Sequence, residues 1–137
     1  MSLPFVDTDV IIRLLTGDDP TKQAAAKALF EQVEQGTLTV AAPVTVIADA
    51  VYVLSSARLY HLPRTQVSAL LSALVSLPHF RIRNRRAVLR ALELYAPTNL
   101  DFGDVFIAAS MEQLGAHVLY SYDKGFDRLS GIQRQQP

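Results

Sequence analysis

Short apolar stretches that alternate with helix-spaced segments leave this chain few ways to fold. Phe5-Val6 is a brief extended stretch cut off by Asp7, and Val10, Ile11, Leu14 and Leu15 follow at helical spacing until Thr16-Gly17-Asp18-Asp19-Pro20 ends the helix. Asp19 with Pro20 behind it starts a second helix, expected to run to about Gln35-Gly36. Leu38 to Ala42 predicts a strand, and Pro43 opens a helix to roughly Ala57. Pro63 to Leu77 repeats leucines at helical intervals, and Phe80-Arg81-Ile82-Arg83 alternates like a strand. Asn84 is expected to cap a helix through about Tyr95, and Asp101 one through about Leu114, where Gly115 stops it. His117 to Ser121 predicts a last strand, and the tail after Phe126 reads as short and irregular. Strands alternating with helices imply a parallel sheet covered by helices on both faces, with ligands outside the carboxyl ends of the strands. The expectation is a three-layer α/β/α domain with four to five short strands and Asp7 and Asp104 at the same sheet edge.

A chain of 137 residues that is 50% hydrophobic and 19% charged suits one domain over residues 1–137 with a single core. No apolar run is long enough to span a bilayer, and the N-terminus lacks the basic region of a signal peptide. The chain has no Cys, which excludes disulfides and thiolate metal sites and suits a reducing, cytoplasmic location. Thirteen basic residues balance thirteen acidic ones, so total charge does not advertise a nucleic-acid binder. Its distribution says more. Between Asp49 and Glu93 there is no acid, yet Arg58, Arg64, Arg81, Arg83, Arg85, Arg86 and Arg90 all lie there. Folding can set an acidic pocket beside an arginine-rich rim.

Four acids stand where a parallel sheet gathers side chains. Asp7 follows the first strand, Asp123 the last, and Asp104 and Asp49 lie in early turns of their helices. Carboxylates sharing a small site repel until protons or cations neutralise them, and a hard divalent ion, Mg²⁺ or Mn²⁺, suits carboxylate and water oxygens. Each acid also has a purely structural role open to it. Asp7 can cap the helix that follows, Asp101 and Asp104 can form a capping box, and Asp123 can shape the turn Tyr122-Asp123-Lys124-Gly125. Asp49 lies in the apolar run from Val44 to Leu54 with no Lys or Arg within a helical turn, so burial there demands a cation from elsewhere.

At these residues the chain resembles the PIN-domain family, specifically the VapC-like toxins of toxin–antitoxin pairs. Phe5-Val6-Asp7-Thr8-Asp9-Val10 resembles the family's opening strand and first acid, and Asp49-Ala50-Val51-Tyr52-Val53-Leu54 its second acid and apolar helix. Asp101-Phe102-Gly103-Asp104-Val105 resembles the segment carrying the third acid, and Leu119-Tyr120-Ser121-Tyr122-Asp123 the closing strand and fourth. Three positions depart from the pattern: Asp49 stands where Glu is usual, Asp9 where Asn is frequent, and Ser121 where Thr is usual.

The resemblance implies metal-dependent hydrolysis of RNA phosphodiester bonds. Asp7, Asp104 and Asp123 would hold Mg²⁺ or Mn²⁺, Asp49 would be a ligand or orient the attacking water, and Thr8 and Ser121 would hydrogen-bond the carboxylates. Arg13 and Arg81, Arg83, Arg85 and Arg86 are candidates for RNA phosphates. It also implies a small antitoxin partner, a homodimer and no membrane. The apolar excess on the helices around Ala24–Phe30 and Val67–Leu77 is where such a partner would lie. Two rivals remain. One is a PIN-like module that binds RNA or protein without cutting. The other is a haloacid-dehalogenase-like phosphatase, for which Asp7-Thr8-Asp9-Val10 fits the nucleophile motif. No Lys lies between Asp49 and Asp104 to serve that chemistry.

Overall fold

A computed structural model describes residues 2–137. In chain order the elements are α1 (Thr8–Leu15), α2 (Pro20–Gln35), β1 (Val40–Ala42), α3 (Val44–Ser55), α4 (Arg64–Val75), β2 (Phe80–Ile82), α5 (Arg85–Tyr95), α6 (Phe102–Leu114), β3 (Val118–Tyr120), a 3-10 turn (Lys124–Arg128) and β4 (Gln133–Gln135). The α/β class and the parallel pairing expected from the sequence are both present.

Local chemistry explains most of these boundaries. The Asp19 carboxylate accepts the Lys22 amide at 3.1 Å and Pro20 opens α2, so two of the orphan donors at that helix start are answered or removed. Gly36 ends α2 with φ +80°, and a Cβ there would come within 3.0 Å of the His79 ring. No other residue fits that turn as cheaply. Helices α3 and α4 stop at Ser55 and Val75, two residues short of the expected ends.

One buried cluster runs from Val6 to Leu129. Val40, Ala41 and Ala42 of β1 are all buried, and Phe80 of β2 is wholly enclosed, its ring edge-on to Phe30 at 5.5 Å. Helix α5 is the central strut. Val88, Ala91 and Leu92 are fully enclosed between α4 and α6, each large side chain contributing roughly 1.5–3 kcal/mol of hydrophobic stabilisation.

The sheet departs from expectation in three ways. It is not one hydrogen-bonded sheet: β1 pairs with β2, β3 pairs with β4, and residues 4–6 join β1 only through a parallel bridge at Phe5 and Ala41. Strand β3 is not buried on both faces, since Val118 and Tyr120 remain 46% and 66% exposed. The tail is not irregular, because Gln133–Gln135 forms β4. The signal for β4 was faint: three residues, two of them Gln, carry no apolar alternation. Asn84 sits at the start of α5 in the left-handed region (φ 58°) and makes no side-chain cap, so it turns the chain rather than bonding the helix.

Candidate active site

Asp7 leaves the first extended stretch and enters α1. Its Oδ1 accepts the Thr8 backbone N–H at 2.7 Å while the carboxylate stays exposed, so it caps the helix and still presents an oxygen to solvent. Asp49 stands on α3 and faces the same groove. The expectation that Asp49 is buried in an apolar run is overturned: Asp49 is exposed. The apolar residues around it lie on the opposite face, where Val46, Ile47, Ala50, Val51 and Leu54 are buried. At 100° per residue, a run that reads as continuously apolar still presents one polar edge. Asp7 and Asp49 line one groove of about 590 Å³ with Arg13, Tyr52 and Tyr60.

The other two acids form a second pair. Asp104 is half-buried in the first turn of α6, and its carboxyl is pushed above the ordinary carboxylate range by burial first, then by the negative charges of Asp123 and Asp101. The capping box is absent: neither Asp101 nor Asp104 bonds the helix start through its side chain, and the Asp104 amide bonds the Asp101 carbonyl at 3.1 Å. Neither carboxylate is therefore spent on capping. Asp123 does shape its turn, accepting the Gly125 amide at 2.8 Å. A Cβ at Gly125 would meet Leu100 at 2.8 Å and the Asp123 carboxylate at 3.0 Å, so only glycine lets that carboxylate sit where it does.

Asp7 and Asp49 thus share one groove, and Asp104 lies close enough to Asp123 to feel its charge. Among the described residues no three Asp, Glu, His or Cys side chains gather into a single metal cluster. The donor chemistry nonetheless fits a hard divalent ion: every candidate ligand is a carboxylate, and the Asp104–Asp123 pair carries negative charge that a cation would relieve.

The neighbours of these acids are placed by their hydrogen bonds and exposure. Ser121 accepts the Asp123 backbone N–H at 3.0 Å, fixing the turn rather than the carboxylate. Thr8 meets Asp7 through its backbone. Arg134 on β4, which the sequence left unassigned, donates to the Ser121 carbonyl at 3.2 Å and to Asp127 at 2.9 Å, so it braces the turn that carries Asp123 from both sides. Of the arginines, Arg81, Arg83 and Arg86 are exposed. Arg81 and Arg83 line a separate groove of about 680 Å³ with Phe5 and Pro43. Arg85 lines the same groove but commits its Nη2 to the carbonyls of Leu77, Pro78 and Phe80.

Arg13 is held at 3.1 Å by Asp18, which also accepts the Thr16 hydroxyl at 3.1 Å and the Tyr60 hydroxyl at 2.7 Å. The Tyr60 hydrogen bond is the main reason that the Asp18 carboxyl lies below its ordinary range. A depressed carboxyl contributes stability that is complete above the ordinary carboxylate range and is lost as pH falls. Tyr60→Phe is therefore expected to melt below the wild type at neutral pH, with the gap narrowing as the acidic range is entered. Melting curves across pH check this; a gap independent of pH would assign the loss to packing alone.

The family model of the PIN domain matches residues 5–132. No curated protein matches the chain.

Proposed function

Because this chain belongs to the PIN-domain family, whose members are generally nucleases that use divalent metal ions, we propose that it is a metal-dependent endoribonuclease and the toxin of a toxin–antitoxin pair. The observation that carries the proposal is the Asp104–Asp123 pair: two carboxylates brought together at a helix start and a strand end, one half-buried and deprived of its capping role.

In this reading Asp104 and Asp123 hold Mg²⁺ or Mn²⁺, with Asp7 as a third oxygen donor directly or through water. The bound ion would supply an activated water and stabilise the charge that grows on the phosphate. Asp49 orients the water, Arg13 holds a phosphate beside the acids, and Arg81, Arg83 and Arg86 meet the RNA further out. Arg134 and Ser121 keep the Asp123 turn in place. The protein acts in the cytoplasm, and no helix among the described residues is long and apolar enough to cross a membrane. A groove of about 480 Å³ between α2 and α4, lined by Leu14, Leu15, Phe30, Leu70 and Leu77, supports docking of an antitoxin's amphipathic helix, and the toxin itself forms a homodimer.

The deciding experiment is cleavage of RNA with Mg²⁺ or Mn²⁺ and with chelator, using Asp7→Asn as the inactive control. Asp49 supplies a finer prediction. Asp49→Ala should abolish cleavage while shifting stability by only a few tenths of a kcal/mol, because the exposed helix position merely gains helix propensity. Asp49→Glu should preserve or increase cleavage. Normal turnover by Asp49→Ala would remove Asp49 from the site. The second reading is a PIN-like module that binds without cutting, and no cleavage with either ion would decide for it.

A further inference from the structure

The groove that holds Asp7 and Asp49 contains an aromatic side chain with no structural duty. Tyr52 lies one turn beyond Asp49 on α3, is 71% exposed, and among the described residues its hydroxyl makes no hydrogen bond. Leu59, 57% exposed, extends the apolar wall beside it. The second tyrosine of the groove is already committed, since the Tyr60 hydroxyl donates to Asp18. Asp18 in turn fixes the Arg13 guanidinium through a single Nη1 contact, leaving most of its donors for another acceptor. A flat exposed ring, an apolar flank and an oriented guanidinium thus border the same acids.

An aromatic ring stacks on any base whose face is open, and a guanidinium matches a phosphate. Bases in a duplex have no open face, whereas unpaired bases do. The acid-rich groove carries one arginine, enough for one phosphate and too little to track the backbone of a duplex. We propose that Tyr52 stacks on an unpaired base of single-stranded RNA while Arg13 holds the adjoining phosphate, so that the strand is led along the groove of Asp7 and Asp49 toward the reacting acids. Tyr52 is a positioning residue here, and its role rests on the nuclease reading above.

The test measures fluorescence anisotropy of a labelled, unstructured oligoribonucleotide and of its duplex, with Ca²⁺ present, alongside cleavage kinetics in Mn²⁺. Tyr52→Ala should weaken single-strand binding roughly 5- to 150-fold and raise KM, with melting temperature unchanged. Tyr52→Phe, which keeps the ring, should bind like the wild type. Equal binding and KM in Tyr52→Ala, a Tyr52→Phe defect as large as that of Tyr52→Ala, or duplex bound as tightly as single strand each overturns the stacking role while leaving the nuclease intact. A wild type that neither binds nor cleaves RNA overturns the nuclease reading, and this proposal with it.

Discussion

Asp104→Asn is expected to lower divalent-dependent RNA cleavage by roughly 10²- to 10³-fold, the scale seen when one charge-stabilising group is removed from a reacting centre. The same substitution should raise the melting temperature of the metal-free protein. Both signs follow from the position of the side chain. Burial, then the charges of Asp123 and Asp101, lift the Asp104 carboxyl above its ordinary range of 3.8. In the window above that value the folded protein holds a proton that the unfolded chain has released, so stability falls as pH rises through it. An amide removes the penalty. Wild-type protein should gain stability from Mn²⁺ by mass action, whereas Asp104→Asn should lose most of that gain. Melting with and without Mn²⁺, beside the cleavage assay, separates the possibilities. If Asp104 only holds the fold together, its replacement lowers the melting temperature and spares cleavage, the reverse of the expectation on both readouts.

Arg64→Ala should cost about 3 kcal/mol of unfolding free energy, although position 64 is remote from the acids in sequence. The Arg64 Nε donates to the Tyr95 carbonyl at 2.8 Å, its Nη2 donates to the Leu100 carbonyl, and the guanidinium lies 3.6 Å from the centre of the Tyr95 ring. These contacts hold both ends of the connection from α5 to α6, which delivers Asp101 and Asp104. The variant should therefore be less active even where it remains folded. Arg64→Lys should rescue little, since an ammonium cannot serve two carbonyls and stack on the ring together. Urea unfolding of the three proteins measures the effect. A loss below about 1 kcal/mol, within the range of ordinary surface substitutions, would mean the connection is held by its apolar contacts alone.

These two residues mark the boundary between what was legible in the sequence and what was not. Asp104 was legible because its signal is local: an acid three residues into a helix whose start is announced by Asp101 and whose end is announced by Gly115. The Asp19–Pro20 start and Gly36 stop of α2 were legible for the same reason. Arg64 was invisible as a brace, since nothing near it in sequence names Tyr95 or Leu100. The fate of the other arginines has the same cause. Arg85 and Arg83 are alike in sequence and line one groove, yet the Arg85 Nη2 is committed to three backbone carbonyls while Arg83 stays exposed.

Composition, helix spacing and cap residues by themselves determined the α/β class and the order of the six helices, because each depends on interactions within a few residues. Only the tertiary structure decided that Asp49 faces solvent, that the strands divide into two parallel pairs, that the tail becomes β4, and that Asp49 shares a groove with Asp7. Three-residue strands carry too little periodicity to specify a partner, and the partner is fixed by packing between segments far apart in the chain.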